Sequence, residues 1–551
     1  MKRATLTSLG VITGLVLQLP VVHAADNMPT FSPLNQAPAA SAVAPGNPAG
    51  PTSSEPSVDD VKRLVDESGC PLIYVVGVQG TGQSSIDTPT DMDSGFLGGV
   101  VGAAKSKADG DEKTRGLIDR MYLPYHAAFG GALGEEAMPY AESVTDGENR
   151  LGDALKDISG KCPDTKVFLT GYSQGAHVVS QVAAAIGKGK GAIEADKVAG
   201  VALFGNPARA EGAEIIPGGS VNAPSPVPGT KGDAVKDLPP ITMEKTSGGG
   251  SAPEADLVSS YGKLGGRVAD FCVAGDLTCD LPPNTPLAHA VTNIAGQAKL
   301  SAGDPIGSLT SIADALAWTS YKTATDVLSE DVKHSSRSAV SYQPKKSIAK
   351  RISHASDPRT EKKKPIDVLA SAGSIFGSIV KTVVKEVISP ETIAAVATAG
   401  LVRPEAGLAE LGRRFIDAAI KVVAPEGATG TTKKVFQTVT REIEDNEGLI
   451  DLATNVKYWQ HQKNHSSYGQ VPVANTVTAT EYATRWILAA AIDQAPVAVK
   501  NQSKKTTTAT GSAVTTAATT AVSSVPVSAG VAGGGDNVPT FSPLNTPGEE
   551  R

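Results

Sequence analysis

The pentapeptide Gly-Tyr-Ser-Gln-Gly at 171–175 constrains the fold of this chain more than any other segment. The apolar, β-branched run at 167–170 predicts a short buried strand, and residues 176–185 predict a helix. A strand, Gly-x-Ser-x-Gly and a helix, in that order, are typical of a nucleophile elbow. Gly-x-Ser-x-Gly alone is common by chance. The flanking strand and helix are what make Ser173 a candidate nucleophile.

The same alternation of strand and helix patterns extends beyond this turn. Residues 72–76, 198–204 and 267–272 predict further strands, and residues 147–158 predict a helix. Strands that alternate with helices favour an α/β fold with a central, mainly parallel sheet flanked by helices.

The amino terminus is typical of a secretory signal peptide. Lys2 and Arg3 precede a mostly apolar stretch, and Val-His-Ala at 22–24 suits a cleavage site. A membrane anchor is the alternative, but Thr, Ser, Gly, Gln and Pro interrupt the apolar stretch. Cleavage would move the net charge from −7 to −9. We therefore expect a secreted or cell-envelope protein without the basic surface that nucleic-acid binding needs.

Four cysteines in a secreted chain predict two disulfides, with three possible pairings. Cys272 and Cys279 are close enough to close one short loop, in which case Cys70 and Cys162 would pair. Asp276 lies between the two later cysteines and follows a predicted strand. It comes after Ser173, as the acid does in the Ser-acid-His order of α/β hydrolases, and it is our candidate for orienting the base.

Composition divides the chain into further segments. Residues 25–57 predict a disordered leader, and 498–551 a low-complexity tail, expected to be disordered over 500–535. An α/β domain is expected at 58–289 and 463–497, where 479–492 predicts a closing helix. It is interrupted by a helical insertion at 290–462, with helices at 306–328, 366–388, 408–423 and 435–459.

Two further features of these segments allow alternative interpretations. The decapeptide at 26–35 recurs at 536–545 with nine identities in ten, and it could be a docking peptide or a pair of edge segments joining the termini. We interpret a basic stretch of the insertion as a solvated linker, and contact with anionic lipid is the alternative. Its basic residues are Lys345, Lys346, Lys350, Arg351, Arg359, Lys362, Lys363 and Lys364.

Taken together, the motifs resemble the cutinase family of secreted serine esterases. The similarity lies in CPDTKVFLTGYSQGA at 162–176, Cys-Pro at 70–71, QGTG at 79–82, LFGNP at 203–207 and the Cys-x-x-x-Asp-x-x-Cys loop at 272–279. The resemblance covers less than half of the chain. It implies an α/β-hydrolase fold, disulfides Cys70–Cys162 and Cys272–Cys279, Ser173 as nucleophile and Asp276 as acid.

The general base is chosen between two of the eight histidines. His289 follows Asp276 by thirteen residues, a short connection like that of small cutinases. His465 begins His-Ser-Ser-Tyr-Gly, which resembles the family's His-x-x-Tyr-Gly segment, and a predicted helix follows it. We expect His465 to be the base. The oxyanion donors are expected to be the backbone N–H of Gln174 and Thr81, which matches the family's hydroxyl residue.

These residues predict hydrolysis of lipid-like, cutin-like or cell-envelope acyl esters through an acyl-enzyme. The alternatives are an acyltransferase and a non-catalytic envelope-binding or regulatory protein on an esterase scaffold. No cofactor or metal is expected. The turn at 77–84 resembles a phosphate loop, but Gln83 replaces its essential lysine. Expected partners are an ester substrate and the envelope or membrane surface.

Overall fold

The computed structural model describes residues 57–130, 138–219, 222–297, 299, 305–336, 339–342, 345–361, 444–445, 447–448 and 460–517. The predicted signal peptide, the leader up to residue 56 and both copies of the decapeptide lie outside these residues. So do the helices predicted at 366–388 and 408–423, and all of the helix predicted at 435–459 except residues 444–445 and 447–448.

Five strands form the central sheet. They are β1 (Ile73–Val78), β2 (Ile118–Tyr122), β3 (Lys166–Tyr172), β4 (Val198–Phe204) and β5 (Val268–Phe271). Their order is β2-β1-β3-β4-β5, and every neighbouring pair is parallel. The predicted α/β fold with a mainly parallel sheet is confirmed.

The edge strand β2 is absent from the sequence-based prediction. Its residues Ile-Asp-Arg-Met-Tyr combine charged and apolar side chains, and the middle three are only partly buried. An edge strand has a neighbour on one side only, so it does not need the continuous apolar run of a central parallel strand.

The described part of the chain contains helices on both faces of the sheet and others that lie elsewhere. They are α1 (Val58–Ser68), α2 (Gly95–Leu97), α3 (Ala103–Gly110), α4 (Tyr140–Lys161), α5 (Gln174–Gly187), α6 (Asp233–Lys236), α7 (Pro286–Ala295), α8 (Pro305–Glu330), α9 (Ile348–Ser356), α10 (His461–His465) and α11 (Ala479–Ala517). Apolar residues of α1, α3 and α11 pack on one face, and those of α4 and α5 pack on the other.

Two antiparallel hairpins complete the described strands. One joins β6 (Val332–Ser336) to β7 (Ala339–Tyr342), and the other joins β8 (Pro472–Ala474) to β9 (Val477–Thr478). The second hairpin connects α10 to α11, and Val473, Ala474 and Val477 belong to the same core as α11.

The closing helix is longer than predicted. The sequence pattern predicts 479–492, followed by disorder from residue 500, whereas α11 continues to Ala517. Helical backbone therefore extends over 500–517, inside the low-complexity segment predicted from residue 498. This stretch is rich in Ala, Thr and Lys and contains no proline, so nothing in it forces the helix to end.

Where the structure describes it, the basic stretch in the predicted insertion is exposed at Lys345, Lys346, Lys350 and Arg359 and buried at Arg351. The guanidinium of Arg351 is buried, and its Nη2 donates to Asp331 at 2.7 Å. Arg359 donates through both Nη atoms to the carboxylate of Asp256, at 2.8 and 2.9 Å. An ion pair of 2.7 Å joins Lys350 to Asp445. Residues 362–364 lie outside the described part.

Both predicted disulfides are present, Cys70–Cys162 and Cys272–Cys279. The first ties the residues before β1 to the residues before β3. The second closes the loop after β5, and we call residues 272–279 the acid loop. In the described part of the chain, no helix combines the length and apolar character needed to span a membrane.

Candidate active site

Ser173 lies at the sharp turn between β3 and α5. Its φ of 55° and ψ of −123° are a strained combination for a residue with a side chain. The Ser173 N–H donates to the Phe204 carbonyl at 2.9 Å, which ties the turn to the end of β4. Neighbouring backbone thus holds the serine in a conformation that an isolated turn would avoid.

The two glycines of the pentapeptide permit close packing of backbone. A Cβ on Gly175 would lie 2.0 Å from the Val78 carbonyl oxygen, and a Cβ on Gly171 would lie 2.5 Å from the Gly175 oxygen. Neither position can hold a side chain without moving backbone. The glycines therefore let α5 start directly against the end of β1.

His465 lies between Ser173 and Asp276. Its Nε2 is 3.0 Å from the Ser173 Oγ, and its Nδ1 is 2.9 Å from the Asp276 Oδ2. Because a carboxylate only accepts hydrogen bonds, Nδ1–H donates to Asp276 and Nε2 is left to accept from the serine hydroxyl. This is the arrangement that lets an imidazole take a proton from a serine.

The structure distinguishes between the two histidines that were candidates for the general base. His289 lies on α7, where its Nδ1–H donates to the Ala252 carbonyl at 2.9 Å. Burial lowers the pKa of this imidazole. Of these two histidines, the structure brings His465 to Ser173 and Asp276.

Asp276 is fully buried but has several hydrogen-bond donors. The Tyr468 hydroxyl donates to its Oδ2 at 2.5 Å, and the Thr278 N–H donates to its Oδ1 at 3.0 Å. Burial alone would raise the pKa of Asp276, but the adjacent His465 lowers it well below its usual value. The carboxylate therefore stays ionised inside the protein, as an orienting acid must.

Gln174, directly after the serine, is held by its side chain. Its Nε2 donates to the Ala128 carbonyl and to the Ser143 Oγ, both at 2.9 Å. Its Oε1 accepts from the Thr81 hydroxyl at 2.9 Å. The Thr81 proton that was expected to point at an oxyanion is thus directed to Gln174. The backbone N–H of Gln174 belongs to the first residue of α5, where such groups attract anions.

Comparison with known proteins shows which family the chain belongs to. A sequence model of the Cutinase family matches residues 70–299. The Culp6 carboxylesterase homologue of Corynebacterium glutamicum is 30% identical over 250 residues, which cover 44% of this chain and 73% of the relative. The chain belongs to the cutinase family. Like its relatives, this cutinase-family protein is a carboxylic ester hydrolase.

Other relatives match over shorter lengths. The probable carboxylesterase Culp3 of Mycobacterium tuberculosis is 40% identical over 92 residues, which are 16% of this chain and a third (33%) of that protein. Among solved structures, lysin B from mycobacteriophage D29 is similar over 44% of this chain and 81% of its own, with 18% identity and a TM-score of 0.28.

Three polar residues of this cutinase-family site are missing from the sequence-based prediction. Tyr468 belongs to the His-x-x-Tyr-Gly segment, but that pattern does not reveal its bond to Asp276. Ser143 lies on α4 and His461 on α10, and each reaches the site only through tertiary contacts. For His461, the spacing of four residues from His465 is the one signal, since it places both on one helix face.

Proposed function

We propose that this protein is a secreted serine esterase that uses Ser173, His465 and Asp276 as a catalytic triad. Ser173 attacks the ester carbonyl while His465 accepts its proton, and Asp276 orients and stabilises the imidazolium. The alcohol leaves with that proton, and an acyl-enzyme remains on the Ser173 Oγ. Water activated by His465 then releases the acid and restores the serine.

One observation carries this proposal. The Ser173 Oγ is 3.0 Å from His465 Nε2, and His465 Nδ1 is 2.9 Å from Asp276. A continuous hydrogen-bonded chain from hydroxyl to buried carboxylate is what general-base activation of a serine requires. The strained backbone of Ser173 supports the same role, because strain of this kind is concentrated at functional sites.

We assign the oxyanion donors to backbone. The N–H of Gln174, at the start of α5, is one donor, and the N–H of Thr81 is the other. The Thr81 hydroxyl then acts as a brace, because it donates to Gln174 Oε1 at 2.9 Å. A preorganised donor of this kind contributes about 3 to 4 kcal/mol to the stabilisation of a tetrahedral intermediate.

The proposed substrates are lipid-like, cutin-like or cell-envelope acyl esters. Secretion through the signal peptide at 1–24 would bring the enzyme to such substrates, and the two disulfides fit an extracytoplasmic protein. We also propose that 290–462 is an insertion in an esterase domain of 58–289 and 463–497. All five strands of the central sheet lie between residues 73 and 271, which supports this division.

A fluorophosphonate probe combined with a panel of esters tests the proposal. We expect the folded protein to label once, Ser173→Ala not to label, and hydrolysis to depend on acyl chain length. Equal labelling of Ser173→Ala would contradict the proposal, as would no turnover of any ester by folded wild type that has not been exposed to the probe. Adding an alcohol acceptor and analysing products separates hydrolysis from acyl transfer.

A further inference from the structure

A second histidine lies against the proposed catalytic pair. His461 begins α10, one helical turn before His465, and the two ring centroids are 5.7 Å apart. Its side chain is 14% exposed. The reaction steps proposed above make no use of this imidazole, although it contacts the acid loop directly.

The contacts of His461 meet at a single nitrogen. The Leu277 N–H donates to its Nδ1 at 2.9 Å, and the same Nδ1 is 3.4 Å from the Asp276 Oδ1. A nitrogen that accepts a hydrogen bond through its lone pair cannot also donate a proton. The neutral ring with its proton on Nε2 can therefore anchor Leu277, whereas the charged ring can only donate towards Asp276.

We propose that His461 is a positioning residue, whose neutral imidazole holds the acid loop so that Asp276 faces His465. Protonation of His461 removes the acceptor of the Leu277 N–H and places a cation next to the carboxylate. That cation competes with His465 for Asp276. This inference rests on the proposed triad and adds a second proton-sensitive group to it.

The direction of the pH effect follows from the groups that face His461. Asp276 faces it from the acid loop and His465 from its own helix, and Tyr468 meets this pair through Asp276. Lys463 lies two positions along α10, a spacing at which side chains do not face each other. His461 and His465 must both be neutral for activity. Activity therefore rises with pH as both imidazoles lose a proton, and it falls when either one is protonated.

Two substitutions separate the hydrogen bond from the charge. In His461→Asn, the side-chain oxygen is an acceptor that lies where Nδ1 lies, and it does not titrate. In His461→Leu, the side chain has a similar shape but no acceptor. We expect His461→Leu to lower kcat about tenfold with KM unchanged, because a buried N–H loses its partner. We expect His461→Asn to restore kcat at pH 8 to within about threefold of wild type.

The acid limb of the pH profile is the second readout. Plotted as log kcat/KM against pH, we expect a slope between one and two for wild type and of one for His461→Asn. Equal slopes, or a kcat of His461→Leu equal to that of wild type, would overturn the inference. If the Leu variant does not fold, the Asn profile still decides.

Amide hydrogen exchange at Leu277 distinguishes failure of this inference from failure of the proposed triad. It reports the His461 contact whether or not the protein turns over esters. We expect faster exchange in His461→Leu than in His461→Asn, and unchanged exchange in the Leu variant contradicts the contact. Probe labelling of wild type and Ser173→Ala tests the triad itself.

Discussion

Nδ1 of His465 lies 2.9 Å from Oδ2 of Asp276 although 189 residues separate the two along the chain. Asp276 is carried by the disulfide-closed loop after β5, and His465 ends the short helix α10. Tyr468 reinforces the meeting point, because its ring is buried in the core while its hydroxyl donates to Asp276. The long intervening segment therefore leaves the geometry of the pair intact.

Replacement of the two candidate bases should give opposite results. We expect His465→Ala to lower kcat by about 10⁴-fold or more, as loss of a triad base does. His289→Ala should leave kcat within about twofold, since its Nδ1–H bonds to the Ala252 carbonyl instead. Steady-state kinetics on a short-chain ester provide the measurement. Loss of activity in His289→Ala alone would reverse the assignment.

Tyr468→Phe removes a hydroxyl that donates to Asp276 at 2.5 Å. We expect kcat to fall about tenfold and the free energy of unfolding to fall by about 1 to 2 kcal/mol, because a buried carboxylate oxygen loses a donor. Tyr482→Phe is the matched control, since the Tyr482 hydroxyl donates to the Pro239 carbonyl away from the site. Equal loss of kcat in both variants would indicate a purely structural effect.

Ser143→Ala tests the support of Gln174. The Ser143 Oγ accepts from Gln174 Nε2 and from the Ala128 N–H, and it donates to the His126 carbonyl. We expect kcat to fall severalfold with KM little changed, because Gln174 keeps its bond to Ala128 but loses one of two acceptors.

The control for Ser143→Ala is Thr145→Ala on the same helix. The Thr145 hydroxyl donates to the Ala141 carbonyl one turn earlier. We expect wild-type kinetics from this variant. A rise in KM without a fall in kcat for Ser143→Ala would place Ser143 in substrate binding and contradict the support of Gln174.

Asp270 should make stability depend on pH between about pH 4 and 6. Burial raises its pKa from the ordinary 3.8 to about 6, although Arg209 and Asn206 oppose the shift. A carboxyl group whose pKa is raised in the folded protein contributes its full stabilisation at pH values below its pKa in the unfolded chain. This contribution is lost as pH rises through its pKa in the folded protein.

Chemical denaturation of Asp270→Asn at pH 4 and pH 7.5 measures this effect. The measured quantity is the free energy of unfolding of the variant minus that of wild type. We expect this difference to be about 2 to 3 kcal/mol more positive at pH 7.5 than at pH 4. Asp87→Asn changes an exposed aspartate and is the control. A difference that is the same at both pH values would show that Asp270 is not the group responsible.

Features that depend on neighbouring residues were predictable from the sequence. The pentapeptide at 171–175, with its apolar run before and helix pattern after, predicts the turn between β3 and α5 that the structure contains. Strand β4 has the predicted bounds because it is apolar throughout and buried on both sides. Both disulfides also agree with prediction, because the cysteine motifs of the family carry that information.

Contacts between distant side chains were decided by the tertiary structure. The motif after His465 favours it over His289, but only the packing of α10 against the acid loop brings it to Asp276. The Thr81 hydroxyl points to Gln174, and Arg351 is buried against Asp331 instead of facing water. The spacing of apolar residues along the sequence indicates which face of a helix or strand is buried. It does not record which partner from a distant segment meets that face, because that depends on how the loops close.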